Sequence, residues 1–163
     1  MTEAAANNNS ASESRELVLV RTFDAQASKI YEAWTNPEIL KKWFAPLPFT
    51  TPEAELDVRV GGENRIVMQD ENGNRYPNAG VYLELIPNRK IVVTDAFTGG
   101  WKPSGKPFMV AEILLEELPD GKTKYTATAR HWTMEDKEAH EKMGFHEGWG
   151  QCADQLAALL AKS

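Results

Sequence analysis

No branched aliphatic or aromatic side chain occurs before Leu17. The preceding Ala, Asn, Ser and Glu cannot bury enough apolar surface to offset the entropy of ordering. Residues 1–15 are therefore expected to be a disordered tail, and residues 16–163 a single domain. Residues 16–23, rich in Leu and Val, read as a strand. In residues 25–35, Ile30, Tyr31 and Trp34 fall at i, i+1 and i+4, one face of a helix. Asn36-Pro37-Glu38 then restarts the helical pattern. The asparagine can accept from free amides, the proline suits a first helical position, and the glutamate favours the positive helix end. A second short helix over 37–43 would bury Ile39, Leu40 and Trp43.

Pro46, Pro48 and Pro52 favour an extended connector. Six segments with strand character follow, at 53–59, 63–70, 80–86, 90–97, 108–118 and 122–132. Most separators are short and rich in Gly, Pro and Asn, as between antiparallel neighbours. The exception is a long loop over 99–107. After Thr133, which with Asp136 resembles a capping box, the chain reads as one long helix. Its stripe of Phe145, Trp149, Cys152, Ala153, Leu156, Leu159 and Leu160 must be buried against the sheet.

Turn chemistry suggests which side chains face inward. Pro119-Asp120-Gly121 fits a three-residue loop with glycine in the left-handed position. That register pairs Leu115 with Tyr125, Ile113 with Ala127, Ala111 with Ala129 and Met109 with His131. The same reasoning at Pro87-Asn88-Arg89 pairs Leu85 with Ile91, Leu83 with Val93 and Val81 with Asp95. A slip of one residue would reverse each assignment. The small Ala111, Ala127 and Ala129 face a helix whose start carries Gly144, Gly148 and Gly150. Such a wall either admits the helix closely or leaves a cavity, and the glycines mark close packing, a kink or a flexible cavity mouth.

Composition narrows the functional classes. Among 163 residues, 42% are apolar, enough for a core, with no run of about 18 that could span a membrane. A net charge of −6 argues against nucleic acid as a main partner. The single cysteine, Cys152, excludes an internal disulfide and suits a reducing cytoplasm. Of the three histidines, His140 and His146 fall on different helix faces, so no metal site is expected. No serine elbow, phosphate loop or dinucleotide fingerprint occurs, so no cofactor is expected.

Several motifs point to a known family. Arg21-Thr22-Phe23-Asp24-Ala25, Tyr31-Glu32-Ala33-Trp34-Thr35-Asn36-Pro37 and Trp43 resemble the opening of START-like (SRPBCC) domains. Gly80-Val81-Tyr82-Leu83-Glu84-Leu85-Ile86-Pro87, Thr94-Asp95-Ala96-Phe97 and Met143-Gly144-Phe145-His146-Glu147-Gly148-Trp149 narrow the resemblance. They are similar to the branch related to the C-terminal domain of the activator of the ninety-kilodalton heat-shock chaperone ATPase. The resemblance implies an α+β helix-grip fold: a curved antiparallel sheet around a long C-terminal helix, with a cavity between them. The element order β-α-α-β6-α agrees.

Three functional readings result. The first is binding of a small hydrophobic or amphipathic molecule, lined by Leu83, Asp95, Met109, Ala111, Ala127, Ala129, His131 and Trp149, under a lid of Phe97, Trp101 and Phe108. The second is a cyclase- or hydrolase-type enzyme, with His131 as acid/base and Asp95 as its polar counterpart. Each has a plainer alternative: His131 bonded to backbone, Asp95 accepting loop amides. The third is a chaperone-interacting module. Chaperone activators of eukaryotes carry a further N-terminal domain, so weak chaperone contact and little ATPase stimulation are expected.

Overall fold

The computed structural model describes residues 14–162. Strand β1 (Glu16–Phe23) leads into helices α1 (Ala27–Thr35) and α2 (Pro37–Leu40). Strands β2 (Thr50–Leu56), β3 (Glu63–Gln69), β4 (Arg75–Ile86) and β5 (Lys90–Thr94) follow. The two-residue strands β6 (Phe97–Thr98) and β7 (Lys102–Pro103) form a small separate hairpin. Strands β8 (Met109–Glu117) and β9 (Thr123–His131) precede helices α3 (Met134–Lys142) and α4 (Phe145–Ala161). The main sheet has seven strands in the order β1-β9-β8-β5-β4-β3-β2, all antiparallel. This is the expected helix-grip architecture.

Local chemistry fixes several boundaries. The Asn36 side chain accepts from Glu38 N at 2.9 Å and Ile39 N at 3.3 Å, capping α2 with Pro37 at its start. Helix α2 ends at Leu40, earlier than the apolar pattern suggests. Trp43 is buried nonetheless, its Nε1 donating to Ala33 O at 3.2 Å. Strand β4 starts at Arg75, five residues before the expected 80. Its first residues pair only with β3, so Pro77 beside Val67 forfeits no ladder bond on its other side.

The β8–β9 hairpin has the expected register: Leu115 pairs with Tyr125, Ala111 with Ala129, and Met109 with His131. Gly121, at φ +85°, takes the left-handed position of the turn. Between β4 and β5 the structure corrects the expected register. Leu85 pairs with Ile91 as expected, but a bulge leaves Leu83 without a partner. Tyr82 then pairs with Val93 and Val81 with Thr94, not Asp95. One extra residue reverses the alternation. Tyr82, rather than Leu83, therefore joins the core.

The C-terminal helix is also corrected: it is two helices, broken at Gly144. Its φ of +96° is left-handed and ends the first helical run. Thr133 caps α3 by accepting from Asp136 N at 3.0 Å. From α4, Ala153 and Leu156 enter one core with Ile91, Ile113, Leu115, Tyr125 and Ala127. Most of the expected tail lies outside the described residues. Of its last two residues, Ser14 accepts from Glu16 N through its hydroxyl, and Arg15 O accepts from His131 N at 3.0 Å.

Candidate functional site

A cavity of about 540 Å³ lies between the sheet and α4. Ile66, Met68, Gly80, Val93, Met109, Ala111 and Tyr125 form its sheet wall. Trp34, Trp43, Phe44, Pro46 and Phe49 line it from the helical corner and the connector. Phe145, Gly148, Trp149 and Cys152 contribute from α4. Trp34, Trp43 and Phe44 meet edge to face, with ring centroids 5.1–5.7 Å apart. The bent chain at the α3–α4 break reaches the same cavity. Met143 lines it while remaining 71% exposed, which puts a mouth at the break.

One wall carries a pair of imidazoles. His131 is buried at the end of β9, and His140 is buried on α3. His131 Nε2 lies 2.8 Å from His140 Nδ1, and His131 Nδ1 lies 2.7 Å from Arg15 O. Only His140 reaches the cavity, packed by Phe108, Phe145 and Trp149 at centroid distances of 5.2, 5.2 and 6.1 Å. Burial, with a smaller contribution from His131, lowers the His140 pKa to about 4. The ring is therefore neutral at physiological pH.

Three further polar groups of the lining are committed to the fold. Asp95 Oδ1 accepts from Phe108 N at 2.8 Å and Met109 N at 3.2 Å, anchoring the start of β8. Thr94 Oγ1 donates to Met109 O and accepts from Ala96 N. Cys152 donates from Sγ to Phe44 O at 2.8 Å, and burial pushes its thiol up to about 12. A thiol held protonated is a poor nucleophile.

Residues 24–161 match the family described as "Activator of Hsp90 ATPase homolog 1-like protein". The chain belongs to that family. A Nitrosomonas europaea protein of solved structure is 40% identical, with a TM-score of 0.86 over 90% of this chain and 94% of that one. A Chromobacterium violaceum protein is 27% identical, with a TM-score of 0.73 over 89% and 96% of the two chains. The AHSA1 protein of Silicibacter pomeroyi, 24% identical, shares the fold at a TM-score of 0.66 over 90% and 97%. No curated protein matches.

Within this activator-like domain, the residues singled out from sequence separate into two groups. Asp95, Met109, Ala111 and Trp149 line the cavity, as does Phe108, which forms a wall rather than a lid. The others lie elsewhere. Leu83 is diverted by the β4 bulge. Ala127 and Ala129 are fully buried, and their small size admits α4: Ala127 packs in the core with Ala153 and Leu156, Ala129 with Phe145. His131 stands behind His140 with both ring nitrogens engaged, so it has no free atom for acid/base work on a cavity occupant. Phe97 and Trp101 pack on each other at 5.6 Å, and Trp101 lies over Gly61, away from the cavity. Sequence reasoning missed His140. Along the sequence its near neighbour is His146 on the same helical stretch, whereas its actual partner, His131, sits on a strand.

Proposed function

We propose that this domain binds a small, largely apolar molecule in the cavity between sheet and helix. The supporting observation is a void of about 540 Å³ whose walls are mostly aromatic and aliphatic. That volume falls within the roughly 300–1,000 Å³ typical of small-molecule sites. Native interiors otherwise pack to crystal-like density, so an unfilled space of this size needs an occupant or a reason. Membership of the activator-like family agrees with a ligand-binding reading, and among the described residues no helix is long and apolar enough to cross a membrane. Asp95 is tied to backbone and Cys152 is held protonated, which favours binding over catalysis.

Gly148 provides the test. It lines the cavity, and among the described residues outside its own helical turn an added Cβ would meet only Pro46 Cγ, at 4.0 Å. Gly148→Leu should take up part of the void without disturbing α4, since leucine is the better helix former. Thermal-shift screening of a lipid and aromatic library, with displacement of the fluorescent probe N-phenyl-1-naphthylamine, measures occupancy. Binding at 100 times Kd adds about 2.7 kcal/mol of stability. The expected outcome is probe uptake by the native chain and weaker uptake by Gly148→Leu. Failure of every library member and the probe to bind the native chain would overturn the proposal.

A further inference from the structure

The imidazole pair gives the cavity a directional polar group, and hydrogen counting shows its direction. A backbone carbonyl can only accept, so the 2.7 Å contact with Arg15 O places the proton of His131 on Nδ1. A neutral His131 then has a bare Nε2, which must accept across the 2.8 Å contact from His140 Nδ1–H. A neutral His140 therefore carries no hydrogen on Nε2. That atom makes no hydrogen bond with any described residue, although the side chain is about nine-tenths buried and lines the cavity. The same counting applies when the pair gains one proton. Whether the charge resides on His140 or on His131, the extra hydrogen must appear at His140 Nε2, because every other position is fixed. Burial keeps the ring in its neutral form, with the pKa lowered to about 4.

We propose that His140 Nε2 is the acceptor that orients the cavity's occupant, and that this occupant is an aromatic amphiphile carrying one hydroxyl or N–H donor. This rests on the cavity-binding reading above and deepens it. The His140 imidazole is packed by Phe108, Phe145 and Trp149, whose faces and edges suit a planar apolar body. An unmet acceptor in such surroundings discriminates: a donor-bearing ligand satisfies it, and an isostere without the donor leaves it stripped of water. His131 and Arg15 act as positioning groups, since they fix which nitrogen of His140 is bare without touching the ligand.

Three probes of similar shape test this: 2-naphthol, 2-methoxynaphthalene and naphthalene, titrated calorimetrically into the full chain at pH 7.5. A neutral hydrogen bond should make 2-naphthol bind about 3- to 10-fold more tightly than the greasier methyl ether. In His140→Phe that preference should vanish while naphthalene still binds. Because the variant leaves His131 Nε2 unpaired, long-range ¹H–¹⁵N spectra of the native imidazoles provide an independent readout. The expected result is a proton on His140 Nδ1 and none on Nε2. Equal or weaker binding of 2-naphthol, a preference that survives His140→Phe, or a protonated Nε2 at pH 7.5 would each overturn the assignment and leave the cavity reading standing. Failure of all three probes to bind while other library members do would overturn the aromatic assignment alone, and failure of the whole library would overturn both.

Discussion

At His140, burial penalises the charged form, and this makes folding sensitive to acid. The side chain's ordinary pKa near 6.5 applies once the chain unfolds, whereas the folded value is lowered to about 4. Between those values the unfolded chain binds the extra proton and the folded chain does not. Stability contributed by this group is thus fully present above about pH 6.5 and is lost as pH falls toward 4, with a slope of at most about 1.4 kcal/mol per pH unit. Urea unfolding from pH 4.5 to 7.5 should show this loss in the native chain and a shallower dependence in His140→Phe. Parallel curves would remove His140 from the acid response. The comparison with the variant matters because other groups titrate nearby. Hydrogen bonds and charge from Arg65 and Arg75 hold the Glu53 carboxyl below its usual range, and bonds led by the Asn74 side chain do so for Asp70. The sequence shows the histidines but not their pairing. Nine positions separate His131 from His140, and only the strand-to-helix corner at Thr133 brings the rings together.

Among the elements, turn chemistry was the most legible feature and helix continuity the least. Pro119-Asp120-Gly121 admits one favourable loop geometry, and that geometry sets each pair along β8 and β9. The β4 bulge has no comparable local signature. It depends on how two strands approach at Gly80, where an added Cβ would sit 2.2 Å from Thr94 O, and such an approach is a property of the pair. The break at Gly144 was partly visible, since three glycines near a helix start signal a kink or a close contact. Only the observed φ of +96° shows which glycine interrupts the helix. Gly150 has the other role: Arg21 lies 2.8 Å from where its Cβ would be. Gly144→Ala should therefore destabilise the domain by about 1–2 kcal/mol, the usual cost of a left-handed alanine. Chemical denaturation measures this, and an unchanged midpoint would show that the two helices can join without strain.

For the whole molecule, sheet order predicts where the structure opens first. Strands β9, β8 and β5 each have two neighbours along their length, whereas the first half of β4 pairs only with β3, which β2 covers at the sheet's end. Native-state hydrogen exchange should find the slowest amides in β8 and β9 and faster exchange over residues 75–80. Uniform protection across the sheet would contradict this gradient. The fold class was legible because long-range order in this domain follows from strand count, short turns and one apolar helical stripe. The cavity's residues were less so, since whether a small side chain borders space or a neighbour depends on the opposite wall: Ala111 borders space, while Ala129, its cross-strand partner, is packed against α4.

The link between Arg15 and His131 bears on where the chain can be trimmed. Composition alone would set the cut immediately before Glu16, ahead of the first residue of β1. A chain beginning there retains every strand pairing, yet it lacks the Arg15 carbonyl, the group that dictates the hydrogen placement on two rings in succession. With that oxygen gone, the imidazoles are free to exchange tautomers, and the second nitrogen of the cavity-lining His140 can become a donor. A shortened protein could then fold normally and show altered ligand selectivity, an effect that originates in a single peptide bond outside the sheet.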